Sequence, residues 1–410
     1  MNTIEYYFDF TCPYAFAGSH RLLRLAKNTS RTIVWKPVLL GGLLKHFQTS
    51  QNLLESVSDA KRDYLKKDIV RTALMEGLNV VIPKAHPVKS VRALRTLLAL
   101  PEGSWTAFIE SVFKAYWIGG TDISSEVVIA NVLSTLDLSE DQIITAKEAN
   151  CNPAIKEELR NRTDAAIKRD VFGVPTFFSS LKPGEAVQQF WGQDRIEFLE
   201  TQSPTGKSVN SESKCFEFFF DFSSPYAYLA STQIEEIEES TGAECIWTPM
   251  LLGALFKSLG TADVPLFKMA PEKQDYLKKD LDDWAAYFDV PFSFPKAFPL
   301  RSVLPLRWVL ANPKRQNQLI KRLMHAYWVE HKDISNAQTL KSIGQEFDLS
   351  SDIETMAQHS KVKERLRANT ERALAKGVFG TPTFLVSSHN EENMYWGQDR
   401  ISQLKRALAS

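Results

Sequence analysis

Short apolar, β-rich runs and longer stretches with helical spacing alternate along the chain in one order, and that order is traversed twice. In the first pass Ile4–Phe10 predicts a strand, since aromatic and β-branched residues suit a half-buried pleated surface. It meets Pro13, which suits the first turn of a helix, and Tyr14–Ala26 carries helical spacing. Thr32–Pro37 predicts a second strand. A long helix-patterned region follows from about Leu53 to Lys168, and then come "GVPTFF", a short strand ending at Trp191, and a closing helix opened by "GQDR". The second pass repeats this with Phe216–Phe222, Tyr226–Ser240, Glu244–Pro249, helical pattern from about Pro271 to Lys376, "GTPTFL", Trp396 and a second "GQDR". A β-α-β half, a helical insert and a β-β-α half predict an α/β domain.

The repetition extends to individual residues. "WKPVLLGGLLK" (Trp35–Lys45) returns as "WTPMLLGALFK" (Trp247–Lys257), "DYLKKD" returns unchanged, and "HPVKSVRALR" returns as "FPLRSVLPLR", all at one offset of 212 residues. The offset falls to 211 at "AYW", 207 at "VFG" and 205 at "WGQDRI", so the copies differ by small deletions while keeping their order. A period this long marks whole-domain duplication, not a solenoid. Thr201–Lys214, rich in Ser, Gly and Thr, reads as a linker. The expected organisation is a first domain over residues 1–200, a linker over 201–213 and a second domain over 214–410.

Composition narrows the function classes. Forty-nine basic and 49 acidic side chains cancel without any charged run, so neither nucleic acid nor an anionic membrane is expected as a partner. The first residues lack a basic and an apolar signal region, no apolar run is long enough to span a bilayer, and the four cysteines read as reduced thiols, which together predict a cytoplasmic protein. No C-x-x-C occurs, and the seven histidines are scattered, so no metal site is expected.

Three motifs, in order and twice, carry a resemblance: "FDF-[TS]-[CS]-P-Y-A", "G-x-P-T-F" and "W-G-Q-D-R". Together they resemble the DsbA-like thioredoxin-fold group, nearest the branch of kappa-class glutathione transferases and 2-hydroxychromene-2-carboxylate isomerases. The implied fold is thioredoxin-like with a helical insertion, duplicated in tandem, and the implied cofactor is glutathione. Ser224 precedes the second proline at a helix start, where the resemblance implies a hydroxyl that donates to the thiolate of bound glutathione. Cys12 stands at the matching place in the first copy, where backbone N–H groups and the helix dipole favour a thiolate. The position three residues on is Ala15, so no internal disulfide can close there. Cys12 could form a mixed disulfide with glutathione, donate an S–H hydrogen bond, or be an inert buried thiol.

By the same resemblance Pro175 and Pro382 are cis, and Val174 and Thr381 pair through their backbone with the cysteinyl part of glutathione. Asp194 and Asp399 face its ammonium, helped by Gln193 and Gln398, although capping of a helix start explains the two aspartates equally well. Lys61 and Lys273, three residues before the tyrosine of "DYLKKD", reach the glycyl carboxylate or simply coat a solvated helix face. The aromatic pairs Tyr116–Trp117 and Tyr327–Trp328 read as core, and neither His86 nor His331 recurs in the other copy, so no general base is assigned.

The expected function is a glutathione-dependent isomerase or transferase acting on an electrophilic, aromatic small molecule, with the two copies forming an intramolecular pseudo-dimer. The alternatives are a monothiol thiol-disulfide oxidoreductase or deglutathionylating enzyme centred on Cys12, and a binding module without turnover.

Overall fold

The computed structural model describes residues 3–52, 54–182, 184–200, 214–262, 264–350, 352–388 and 391–409, so the expected linker lies outside the described residues. It divides into two compact units. The first comprises Met1–Val57 and Leu65–Gln202; the second comprises Ser58–Tyr64 and Ser203–Ser410. Seven residues that belong to the first copy in sequence therefore belong to the second unit in space.

In the first unit β1 (Thr3–Phe8) lies parallel to β2 (Thr32–Pro37) and antiparallel to β3 (Thr176–Ser179). β3 pairs antiparallel with β4 (Gln188–Trp191), giving the order β2-β1-β3-β4. Tyr6 sits opposite Trp35 on one side and Phe177 on the other, and the rings of Tyr6, Phe8 and Phe177 are fully buried. In the second unit β5 (Cys215–Phe220) is parallel to β6 (Glu244–Pro249) and antiparallel to β7 (Thr383–Ser388), which pairs with β8 (Glu391–Trp396). The order β6-β5-β7-β8 repeats the first, with Phe218 between Trp247 and Phe384. Between the two halves of each sheet lie the insert helices, among them Val91–Ala99 and Glu102–Trp117 in the first unit and Val303–Ala311 and Gln316–Trp328 in the second. This is the expected α/β, thioredoxin-like arrangement with a helical insertion, present twice.

Three elements differ from expectation for local reasons. β1 stops at Phe8 because the next residues form a turn: the Cys12 N–H donates to the Asp9 carbonyl at 3.1 Å and the Thr11 N–H donates to Asp9 Oδ1 at 3.0 Å. The expected helix over Tyr226–Ser240 is two, Pro225–Ser231 and Ile234–Thr241. At the break Ser231 Oγ donates to the Tyr228 carbonyl and Thr232 Oγ1 to the Leu229 carbonyl, both at 2.7 Å, and such back-bonding competes with the helix ladder. The first copy's "GQDR" opens a 3₁₀ segment, Gln193–Leu199, whereas the second opens a 3₁₀ turn followed by the helix Ile401–Ala409. Cys215 begins β5 and is exposed, while Cys245 on β6 is buried.

Candidate active site

Both strand-to-helix junctions are held by a buried carboxylate that reading the sequence passed over. Asp9 accepts from the Thr11 N–H and hydroxyl through Oδ1, and from the Leu40 N–H and the Ser90 hydroxyl through Oδ2, at 2.9 to 3.0 Å. Asp221 does the same with the Ser223 N–H and hydroxyl and the Leu252 N–H, at 2.8 to 3.0 Å. Burial pushes both carboxyls above their ordinary range, against the pull of these donors. The signal was available, since an aspartate between two phenylalanines must be satisfied if the phenylalanines are core. A second pin comes from the insert: Trp117 Nε1 donates to the Phe10 carbonyl at 2.9 Å and Trp328 Nε1 to the Phe222 carbonyl at 3.0 Å. The two tryptophans are core, as expected, yet each also fixes the loop two residues before Cys12 or Ser224. A third tie explains part of "DYLKKD": the Tyr14 hydroxyl, on the first helix, donates to Asp68 Oδ2 at 2.7 Å.

On this scaffold Cys12 and Ser224 occupy equivalent places and make one shared contact. Cys12 Sγ donates to the Val174 carbonyl at 3.2 Å, and Ser224 Oγ donates to the Thr381 carbonyl at 3.2 Å. Val174–Pro175 and Thr381–Pro382 are cis, as the resemblance implied, and so are His86–Pro87 and Phe298–Pro299. Ser224 Oγ also accepts the Ala227 N–H at 3.2 Å, capping its helix, whereas Cys12 makes no side-chain cap. Burial pushes the Cys12 thiol up to about 12, outweighing the Ala15 and Tyr14 N–H groups that favour the thiolate, while the Asp9 charge adds to the rise. Burial thus works against the thiolate that the place of Cys12 at a helix start would favour.

The cis-proline turn is tied to the "WGQD" loop in both units. The Gly192 N–H donates to the Pro175 carbonyl at 2.9 Å and the Gly397 N–H to the Pro382 carbonyl at 3.0 Å. These glycines have φ of 105° and 107°, the left-handed side where a Cβ is strained, and a Cβ there would also collide with Asp194 or Asp399. Asp194 pairs with Arg195 at 2.9 Å and Asp399 with Arg400 at 3.2 Å. Gln193 and Gln398 are buried beside them.

The second unit has a feature that sequence alignment of the copies does not show. Lys61 belongs to it, with its ammonium 4.8 Å from the centre of the Trp396 ring and 5.7 Å from that of Phe379, and burial lowers its pKa. Tyr64 is fixed against the same wall: its hydroxyl accepts the Trp396 N–H at 3.1 Å, and its ring meets Phe379 and Trp396 edge-on. Lys273, in the first turn of the helix Pro271–Tyr287, is also buried; desolvation and the nearby Lys61 charge bring it down to about 8. Around the Thr381–Pro382 turn three buried polar atoms have no partner: Thr381 Oγ1, Trp396 Nε1 and Gln398 Nε2. Buried groups left unsatisfied cost about 1–3 kcal/mol each, so this is a place where bound polar matter is favoured. A thiol-bearing peptide with a free carboxylate and ammonium, such as glutathione, supplies acceptors for these donors and an anion for Lys61. Among the described residues no cluster could hold a metal ion, and no helix is long and apolar enough to cross a membrane.

Comparison with known proteins agrees with the geometry. The family model described as "DSBA-like thioredoxin domain" matches residues 3–203 and again 216–409. A 2-hydroxychromene-2-carboxylate isomerase of Pseudomonas putida is 29% identical over 201 residues, which cover 48% of this chain and 92% of the relative. A protein named glutathione S-transferase kappa 2 from Caenorhabditis elegans is 26% identical over 209 residues, covering 48% and 92%. Glutathione S-transferase kappa 1 of Rattus norvegicus is 25% identical over 211 residues, covering 48% and 91%. Each relative spans about one copy of the repeat.

Proposed function

From a chain that belongs to the DSBA-like thioredoxin domain family over both its halves, we propose a glutathione-dependent isomerase or transferase whose principal site is at Ser224. The observation that carries this is the buried Ser224 hydroxyl, which is held by the Thr381 carbonyl and the Ala227 N–H. A hydroxyl in that position turns its proton from the carbonyl to a sulfur anion at little cost, and stabilises it in surroundings of low dielectric. When bound, glutathione supplies the nucleophilic thiolate toward an electrophilic, aromatic small molecule; restoration of the thiol at the end defines an isomerase, and its retention in the product a transferase. The relatives named for both reactions support this reading.

The residues divide the remaining work. Thr381 and Pro382 offer backbone for the cysteinyl part, Gln398 and Asp399 face the γ-glutamyl end, and Lys61 offers the charge for the glycyl carboxylate, with Lys273 adding positive potential. In the first unit Val174, Pro175, Gln193 and Asp194 form the corresponding frame around Cys12. Four free cysteines suit a reducing compartment such as the cytoplasm. The test is glutathione binding and conjugation for wild type, Ser224→Ala and Cys12→Ala. Ser224→Ala is expected to lower turnover by about 10²-fold, the scale of losing one donor to a developing anion. Equal activity of Ser224→Ala and wild type would end the proposal.

A second reading rests on the place of Cys12, a lone thiol at the helix start beside the cis-proline turn with Ala15 where a resolving cysteine would stand. A monothiol exchange centred there predicts a Cys12–glutathione adduct on incubation with oxidised glutathione, read as a mass increase that Cys12→Ser abolishes.

A further inference from the structure

We infer that the second unit receives a planar aromatic electrophile against Phe267, Phe294 and Phe298, an aromatic face missing from the first unit; this rests on the glutathione-dependent reading of Ser224. The face begins at the active loop. Trp328, whose indole N–H holds the Phe222 carbonyl two residues before Ser224, is fully buried and forms the base of a stack of rings. Phe292 lies on one side of it, parallel within 20° at 5.9 Å, and bridges to Tyr228 on the helix that Ser224 caps, at 6.1 Å and 25°. Phe294 and Phe298 meet Trp328 at 5.9 and 6.3 Å and each other at 5.0 Å. Phe298 then meets Phe267 edge-on at 6.2 Å, and Phe267 is 57% exposed. An unbroken series of ring contacts thus leads from the loop carrying Ser224 to solvent, and an exposed ring at its end is apolar area left without cover.

The occupant follows from the size and edges of this face. Phe292, Phe294 and Phe298 are only half-buried, while Lys268 and Lys296 beside them are exposed, so the apolar area is one or two rings wide. A stable protein partner needs several hundred Å² on each side, whereas one flat ring needs only an offset or edge-on neighbour. The ring contacts that support the face reach the Phe222 carbonyl, two residues before Ser224, and Tyr228, four residues after it. At the constant offset of 212 the first unit has Glu55, Val80, Ile82 and His86 in place of Phe267, Phe292, Phe294 and Phe298. His86 there is bound to the Tyr116 hydroxyl at 2.8 Å, and none of the other three positions carries an aromatic ring. The two units are therefore built for different second substrates.

The test is calorimetric binding of glutathione, S-(2,4-dinitrophenyl)glutathione and S-hexylglutathione to the full chain and to Phe267→Ala and Phe298→His. Phe267 is exposed, so its replacement leaves the core intact. Each variant is expected to weaken the dinitrophenyl conjugate about 5- to 10-fold, the scale of one aromatic pair, while glutathione is unchanged and the hexyl conjugate changes less than 2-fold. Equal losses for both conjugates, or none for either, with glutathione still bound, would overturn the aromatic face alone. Failure of the wild-type chain to bind any of the three would overturn both this inference and the glutathione reading beneath it.

Discussion

The first unit and the second share one scaffold and differ in what stands on it. Each has a buried aspartate under the junction, a tryptophan pinning the loop, a cis-proline turn tied to a positive-φ glycine, and a side chain that donates to the carbonyl before the proline. The first unit places a thiol there, lifted by burial, with valine before the cis-proline. The second places a hydroxyl that also caps its helix, with threonine, the desolvated Lys61 and three unpartnered buried polar atoms around it. The comparison teaches that the shared scaffold serves position, while the proposed role in holding a charged thiol ligand turns on the groups gathered around Ser224.

The difference is sharpest for Cys12. With its thiol near 12, the thiolate fraction at neutral pH is about 10³ smaller than for an ordinary cysteine. Alkylation by iodoacetamide at pH 7.5, followed by peptide mass mapping, should label exposed Cys151 and Cys215 first, with Cys12 slower by about that factor. Its rate should climb about tenfold per pH unit through pH 10. Labelling of Cys12 as fast as Cys215 at neutral pH would mean that a thiolate does form there, and the two units would then be chemically closer than their structures.

The next effect probes what they share. Asp9→Asn or Asp221→Asn turns an amide N–H₂ toward buried donors and leaves at least two of them unsatisfied, a cost of about 3–5 kcal/mol to the unit concerned. Urea unfolding followed by tryptophan fluorescence should show a loss of this size in either variant. A loss in only one would show that the common scaffold bears weight in one unit and is residual in the other.

Much of this was legible in the sequence, because the strands repeat as aromatic, β-branched runs and the turns repeat as Gly-x-Pro and Trp-Gly-Gln-Asp. The succession of strands and helices, the helical insert and the placement of Cys12 and Ser224 before a helix follow from those patterns, and the cis state of Pro175 and Pro382 from the family resemblance. What stayed hidden depends on distance in space. Asp9 and Asp221 look like ordinary strand residues until Leu40, Ser90, Leu252 and Ser302 arrive from elsewhere to surround them. The upward pKa shift of Cys12 could not be read from its place at a helix start, since burial outweighs the N–H groups there. Lys61 looked like Lys273 in register and charge, yet Ser58–Tyr64 belongs with the second unit, which no comparison of the copies predicts.

Those two lysines give the smallest effect and the one most specific to the second unit. Lys273 has a folded-state pKa of about 8, below the ordinary lysine value, because burial and the Lys61 charge both disfavour its ammonium. Between pH 8 and about 10.4 the unfolded chain therefore holds more protons than the folded one, and stability should rise with pH across that window. Below pH 8 the full cost of keeping the ammonium buried is present. Lys273→Met should accordingly be more stable than wild type at pH 7, by about 2–3 kcal/mol for a shift of this size, and lose that advantage by pH 10.5. Lys61→Ala should recover part of the gain by removing the like charge, and should raise the Lys273 pKa, measurable by NMR of the lysine side chains. Flat stability from pH 7 to 10 in wild type would show that burial and the Lys61 charge do not lower the Lys273 pKa in the folded chain.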